Sequence, residues 1–323
     1  MSANIISKIK NNSQWVTEFV GVVAIVVLVL AFTSRNPRFL SAHNITNILE
    51  DISVLLILAI GMTFVLLVGS IDLSVGAVAS CAAVIFVQAL PVCGIASYPL
   101  TMLFGAAAGL ISGLIFAKLK VPSFIATFGT MNVYRSLGMM IAGGASQQIA
   151  KAYYPLIGWY GIKIGAVLPL PIVAAAVVAA IALIAQSKTR FGKAIYAIGG
   201  NERAARTAGL RVTMLKTAVF TLSGLCASIA GIILASKMKS GIPTIGDPFT
   251  LMTIAAVALG GTSMSGGKGG IVKTIIGTTL IVLIRNGMNV IGISAFWQQT
   301  MFGFIILIAV FLTSDRRRSV IVK

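Results

Sequence analysis

The sequence predicts an all-α fold: a polytopic membrane bundle of about ten transmembrane helices with both termini on the cytoplasmic side. Three observations predict it. Of the 323 residues, 58% are apolar and only 10% are charged, against roughly a quarter charged in a water-soluble domain, and the mean hydropathy is +1.00. The apolar residues run in blocks of about twenty, the length that crosses a hydrocarbon core about 30 Å thick. Lys and Arg then fall about three to one on alternate connections, as the positive-inside rule requires.

Backbone inside lipid must satisfy its own hydrogen bonds, so each apolar block is expected to be a helix. The blocks are 19–34, 53–70, 74–90, 99–117, 122–142, 165–186, 215–236, 249–264, 270–288 and 296–313, separated by Gly and by Pro37, Pro91, Pro99, Pro122, Pro155, Pro169 and Pro243. The first follows Lys8 and Lys10 in the manner of a signal peptide. No small-residue cleavage pattern comes after it, only Thr33 to Pro37, so it is expected to be an uncleaved span. Segment 122–142 carries Asn132 and Arg135, and 249–264 is short. With the N-terminus inside, the inner connections hold most of the basic residues, from Lys118 and Lys120 to Arg316, Arg317 and Arg318; the outer ones hold Arg35, Arg38, Lys151, Lys163, Lys237 and Lys239. Trp15, Trp159 and Trp297 fall at expected span ends, where interfacial aromatics belong. The chain is expected to be one transmembrane domain, 1–323. It has a cytoplasmic N-terminal segment 1–18, a cytoplasmic loop 187–214 and a basic cytoplasmic tail 314–323.

Composition also excludes function classes. A net charge of +18 in a soluble protein would suggest nucleic acid; here it serves topology and attraction to the lipid bilayer, and no nucleic-acid partner is expected. Three cysteines (Cys81, Cys93, Cys226) make no disulfide framework. His43 is the only histidine, so no metal site is expected. No nucleophile–base pair or carboxylate pair is placed for catalysis. The stretch 260–270, GGTSMSGGKGG, looks like a phosphate loop but fails as one. Six residues before Lys268 stands Thr262 rather than Gly, and Gly269 after it has no hydroxyl for Mg²⁺. Its glycines suit a tight turn and close helix approach instead.

The loop 187–214 carries Lys188, Arg190, Lys193, Arg203, Arg206 and Arg211. Within it, Asn201 is an N-cap and Glu202–Ala208 a short helix, with Gly209 as its stop. Glu202 at the start and Arg206 near the end suit the helix dipole.

Polar residues at membrane depth are functional by default. Asp72, with Ser74, lies in VGSIDLSVG (68–76), the only carboxylate in the apolar stretch 53–90. The flanking glycines favour a cap and hinge there over a direct substrate contact. Asn132 and Arg135 share a helix face and either line a water-filled path or reach for the outer interface. Arg285, Asn286 and Asn289 form an interfacial anchor or an outer gate.

Residues 69–76 (GSIDLSVG), 122–129 (PSFIATFG), 199–210 (GGNERAARTAGL) and 258–270 (ALGGTSMSGGKGG) together resemble the membrane subunits of bacterial ABC importers for simple sugars. The group includes ribose, xylose, galactose, arabinose, allose and autoinducer-2 permeases, and the likeness is nearest the ribose type, over about 35–313. The resemblance implies a permease in the bacterial inner membrane that pairs with a second permease subunit, an identical copy (a homodimer) or a different one (a heterodimer). A cytoplasmic ABC ATPase would use ATP and Mg, with no cofactor bound by this chain. A periplasmic sugar-binding protein would deliver the sugar. It also implies that Gly199, Asn201, Glu202, Ala204, Ala205, Arg206 and Gly209 belong to the segment coupled to the ATPase. Asp72, Ser74, Asn132, Arg135, Asn286 and Asn289 are expected along the path or its gates. The competing reading is an ion-coupled secondary transporter, which would need several intramembrane carboxylates or an internal repeat.

Overall fold

The computed structural model describes residues 2–165 and 167–313. Its helices are α1 (Ser2–Arg35), α2 (Ala42–Leu67), α3 (Val75–Cys93), α4 (Ser97–Ala117), α5 (Ser123–Ile141), α6 (Tyr154–Ile157), α7 (Leu170–Lys188), α8 (Arg190–Gly200), α9 (Glu202–Thr207), α10 (Val212–Met238), α11 (Asp247–Leu259), α12 (Ile271–Val290) and α13 (Ala295–Thr313). Each of the ten expected apolar segments overlaps one of these helices, although 68–70, 165, 167–169 and 260–264 lie outside them. Five stretches among the described residues are long and apolar enough to cross a membrane: Ala42–Leu67, Val75–Ala117, Leu170–Lys188, Val212–Met238 and Ile271–Val290. The second holds both α3 and α4. Large apolar side chains such as Leu103, Ile181, Phe304 and Leu307 remain exposed, the surface a multi-pass protein offers to lipid. The tail 314–323, with Arg316–Arg318, lies outside the described residues.

At the centre stand α2 and α10. The stretch Ser53–Leu67 is buried on every side, so it reads as a continuous apolar run rather than a stripe. Between α4 and α10 lipid offers no hydrophobic drive, and close approach must come from small residues. Gly105, Gly109 and Gly113 supply it: a Cβ on Gly109 would land on the Phe220 carbonyl, and Gly224 faces Gly105 and Gly109 in return. Helix α5 is tied to α4 by Tyr134 Oη donating to Ala108 O (2.8 Å) and by Ser112 with Thr130 (3.0 Å).

Short strands lie at the connections. β1 (Gln147–Gln148) pairs antiparallel with β4 (Ser240–Gly241), and β2 (Lys163–Ile164) with β3 (Leu168–Pro169). After β4 the chain turns back into the bundle beside α3. Gly241 lies against Val84 and Val87, Gly246 lies against Gly76, and Gly246 N donates to Ser80 Oγ (2.8 Å). The return covers about eight residues of α3, roughly 12 Å at 1.5 Å per residue. Helix α11 therefore begins part-way through the bundle. Its 13 residues span about 20 Å, which explains why the segment expected at 249–264 looked short.

Candidate functional site: a coupling face, a broken helix and a bridging ion pair

The segment expected as one short helix in a loop holds two helices. Thr189 Oγ1 accepts from Gly192 N (3.3 Å) and opens α8, which buries Gly192, Ala194, Ile195 and Ile198. Gly192, Gly199 and Gly200 made α8 look like a loop. Gly192 and Gly199 serve packing instead: a Cβ on Gly192 would fall on the Gln186 carbonyl and one on Gly199 on the Leu67 carbonyl. Asn201 has an extended φ of −159°, and its side chain accepts from Ala204 N (3.1 Å), capping α9. The stop at Gly209 (φ +84°) is a Schellman motif, with Leu210 N donating to Ala205 O and Gly209 N to Arg206 O, both at 3.1 Å. Glu202 pairs with Arg206 (3.3 Å) and with Lys216 of α10 (2.7 Å). Burial pushes the Glu202 carboxyl up, but Lys216 and then Arg206 outweigh it and hold it below the ordinary carboxylate value. The Lys216 ammonium also sits 4.8 Å over the Phe116 ring. Through one carboxylate, α9 is clamped to the start of α10 and the end of α4.

The glycine-rich loop 260–270 packs directly under α8. Gly266 (φ +83°) and Gly267 (φ +72°) adopt the left-handed region, and a Cβ on either would meet backbone of Gly69, Gly199 or Gly200 within about 3.0 Å. Gly267 N donates to Leu67 O (2.9 Å), Tyr196 Oη to Gly269 O (2.7 Å), and Ile271 N to Gln186 Oε1 (2.8 Å). Ser263 N donates to Lys268 O (2.9 Å) and Gly270 N to Thr262 Oγ1 (3.2 Å). A phosphate cradle needs amides aimed outward; these are spent on protein acceptors. The loop joins α8, the end of α2 and the start of α12.

From Leu67 the chain enters a non-helical break, 68–74. Asp72 is 1% exposed. Its Oδ1 accepts from Ser74 N (2.9 Å) and Ser74 Oγ (2.6 Å), and its Oδ2 from Ser223 Oγ of α10 (2.8 Å). On the other side, Leu73 N donates to Thr127 Oγ1 (3.1 Å) and Ile71 N to Ser123 Oγ (3.3 Å), both on α5. Asp72 thus bolts the break to α10, and the Ile71 and Leu73 amides bolt it to α5.

The remaining expected path residues lie apart. Asn132 is exposed, with Nδ2 donating to Phe128 O of its own helix (2.8 Å). Asn286 is buried and exchanges amide hydrogen bonds with Asn44 (2.8 and 3.0 Å), which ties α12 to the start of α2. Asn289 Oδ1 accepts from Gln298 Nε2 (2.7 Å). Arg135 pairs with Asp247 at 2.6 Å. Asp247 was missed as a site residue, and it adds a second carboxylate within the bundle to Asp72: the return of 242–246 carries Asp247 inward to the start of α11. The signals were an Asp–Pro step before an apolar run and an arginine inside a span with no partner named.

A family described as branched-chain amino acid transport system / permease component matches residues 44–310. The ribose import permease protein of Escherichia coli (strain K12) is 37% identical, over 94% of this chain and 95% of its own. That of Bacillus subtilis (strain 168) is 40% identical, over 91% of each. The xylose transport system permease protein of Escherichia coli (strain K12) is 32% identical, over 93% of this chain and 92% of its own. No solved structure matches the chain significantly.

Proposed function

The chain belongs to the family of branched-chain amino acid transport system permease components, and from that membership we propose that it is the membrane-spanning subunit of an ATP-driven importer for a ribose-like monosaccharide. It is a transport component, not an enzyme. Two copies pair in the bacterial inner membrane, a cytoplasmic ABC ATPase hydrolyses ATP with Mg, and a periplasmic binding protein delivers the sugar. The chain spans the membrane ten times with both termini cytoplasmic, which the distribution of Lys and Arg supports. The α8–α9 face is then the inner one and the β1–β4 face the outer.

The observation that carries the mechanism is the double attachment of the α8–α9 segment. One arm runs from Glu202 through Lys216 into α10. The other runs from Gly199 and Tyr196 through the glycine-rich loop to Leu67 and the break around Asp72. A push delivered to a short capped helix becomes a rigid-body shift of the helices it grips. Since α10 and α5 both hold the break, the shift changes the distance between them. Asn132 and Arg135, exposed on α5, line the path that opens; a neutral polyol needs such groups spaced for weak, reversible hydrogen bonding.

Uptake of labelled ribose into proteoliposomes tests this. Uptake is expected only when the ATPase, the binding protein and internal ATP are all present. Uptake driven by an ion gradient alone would replace this reading with a secondary transporter.

A further inference from the structure

We propose that Asp247, bridged to Arg135 in this structure, receives a hydroxyl of the sugar in the outer half of the path. The inference rests on the sugar-permease reading and adds to it the group that contacts substrate.

Three observations converge. The first is depth. The return of 242–246 along α3 carries the carboxylate part-way into the bundle, and Arg135 lies on α5 two helical turns beyond Thr127, which grips the break at Leu73. Charges at such depth are expensive, and an ion pair kept only for stability is replaceable by packed apolar groups.

The second is access. The pair is short, at 2.6 Å, yet the Arg135 side chain is 49% exposed and that of Asp247 26%. Asp247 also stands at the edge of a cavity of about 360 Å³, shared with Arg285, Gln298, Met252 and Phe302. Pockets for small molecules begin at roughly 300 Å³. Its polar groups are held in place: the Arg285 guanidinium lies 5.6 Å over the Phe249 ring, and Gln298 Nε2 donates to Asn289 Oδ1 (2.7 Å) and Ile293 O (2.9 Å). A carboxylate, a guanidinium and an amide beside Phe302 suit a neutral polyol, whose hydroxyls donate and accept while its C–H face packs on that ring.

The third is mechanical. Helix α5 packs on α3 and α4, whereas α11 packs on α12, α13, α2 and, more lightly, α3. Between α5 and α11, which share little direct packing, the pair is a side-chain bridge. Each sugar hydroxyl offers one donor and an acceptor. A sugar can therefore take the place of Arg135 at the carboxylate and of Asp247 at the guanidinium without stranding either charge. Entry of the sugar and release of the bridge become one event.

The test uses the complete importer in proteoliposomes, with one binding protein throughout, and compares uptake of ribose with that of 2-deoxyribose. Binding-protein preference then cancels between wild type and variant. For Asp247→Asn we expect binding-protein-stimulated ATP hydrolysis to persist, ribose uptake to fall at least tenfold, and the ribose-to-deoxyribose ratio to shrink, since hydrogen bonds to charged groups are the strong ones. An unchanged ratio, whatever the rate, would reduce the pair to a structural bridge and overturn the proposal. Should the Asn variant not assemble, Asp247→Glu keeps the charge and displaces it by one methylene, and the same ratio decides. Failure of the wild-type complex to take up any sugar with ATP would instead overturn the sugar-permease reading itself.

Discussion

Asp72 offers a sharp test of what a buried carboxylate does in this bundle. Its two oxygens accept three hydrogen bonds, from Ser74 N, Ser74 Oγ and Ser223 Oγ. Asp72→Ala strands all three buried donors. At about 1–3 kcal/mol for each unsatisfied group, the loss is roughly 3–9 kcal/mol, a large part of the 5–15 kcal/mol that keeps a domain folded. Asp72→Asn is different. The oxygen facing Ser74 N must remain an acceptor, so the new amide nitrogen takes the place of Oδ2, and Ser223 Oγ can turn to accept from it. The bolt survives with a weaker bond at one end, and the expected loss is about 1 kcal/mol. Thermal melting of the purified protein in detergent measures the stability, and uptake by the reconstituted importer measures function. The expected outcome is an unstable Ala variant and an Asn variant that melts and transports nearly as wild type. An Asn variant with unchanged melting but no transport would show that the charge itself acts, and the bolt interpretation would fail.

Four further outcomes are expected. Glu202→Lys reverses the charge that grips Lys216 and Arg206; transport and co-purification with the ATPase are lost while membrane insertion persists, so normal co-purification would count against the assigned docking role. Because the Glu202 carboxyl is held below its ordinary value of 4.5, its contribution is fully present above that value and is lost only as pH falls through the depressed one; ATPase co-purification should be flat from pH 8 to pH 5, as measured by pull-down across that range. Gly109→Leu drives a side chain into the Phe220 carbonyl and separates α4 from α10, with an expected loss of at least 1–3 kcal/mol read as a fall in melting temperature. Gly267→Ala puts a Cβ at φ +72° against Gly199 and Gly200, costs about 1–2 kcal/mol in the left-handed region, and lowers sugar uptake per ATP hydrolysed.

The helices were legible because lipid leaves the backbone no alternative, and an apolar run of twenty residues says so without help from tertiary structure. The cap at Asn201 and the stop at Gly209 were legible for the same reason: both are local, decided by residues within one turn. What escaped was decided by residues far apart. Gly192, Gly199 and Gly200 read as loop breakers until the Leu67 carbonyl is seen to need the space beside Gly199. Gly105, Gly109 and Gly113 form a ladder at four-residue spacing, but its partner Gly224 lies more than a hundred positions on. Asp247 was read as lying outside a span because Pro243 and Gly246 look like a surface turn. Only the contacts of Gly246 with Gly76 and Ser80 carry it inward.

One helix connects the two faces. Leu67 accepts from Gly267 below α8, and five residues later Asp72 reaches Ser223. On either side of Asp72, Ile71 and Leu73 are hydrogen-bonded to Ser123 and Thr127 in the first turns of α5. Two turns further along the same helix, Arg135 reaches Asp247. An α-helix transmits an axial or tilting displacement with little internal give, because each turn is locked by its own hydrogen bonds. A movement of the break by an ångström or two, imposed from α8 through the glycine-rich loop, therefore arrives at Arg135 undiminished. Charge-assisted hydrogen bonds are short, 2.7–2.9 Å, so a displacement of that size is enough to break the bridge. The two ends of the bundle need no separate signal between them: the lever that ends at Thr127 on one side ends at Arg135 on the other.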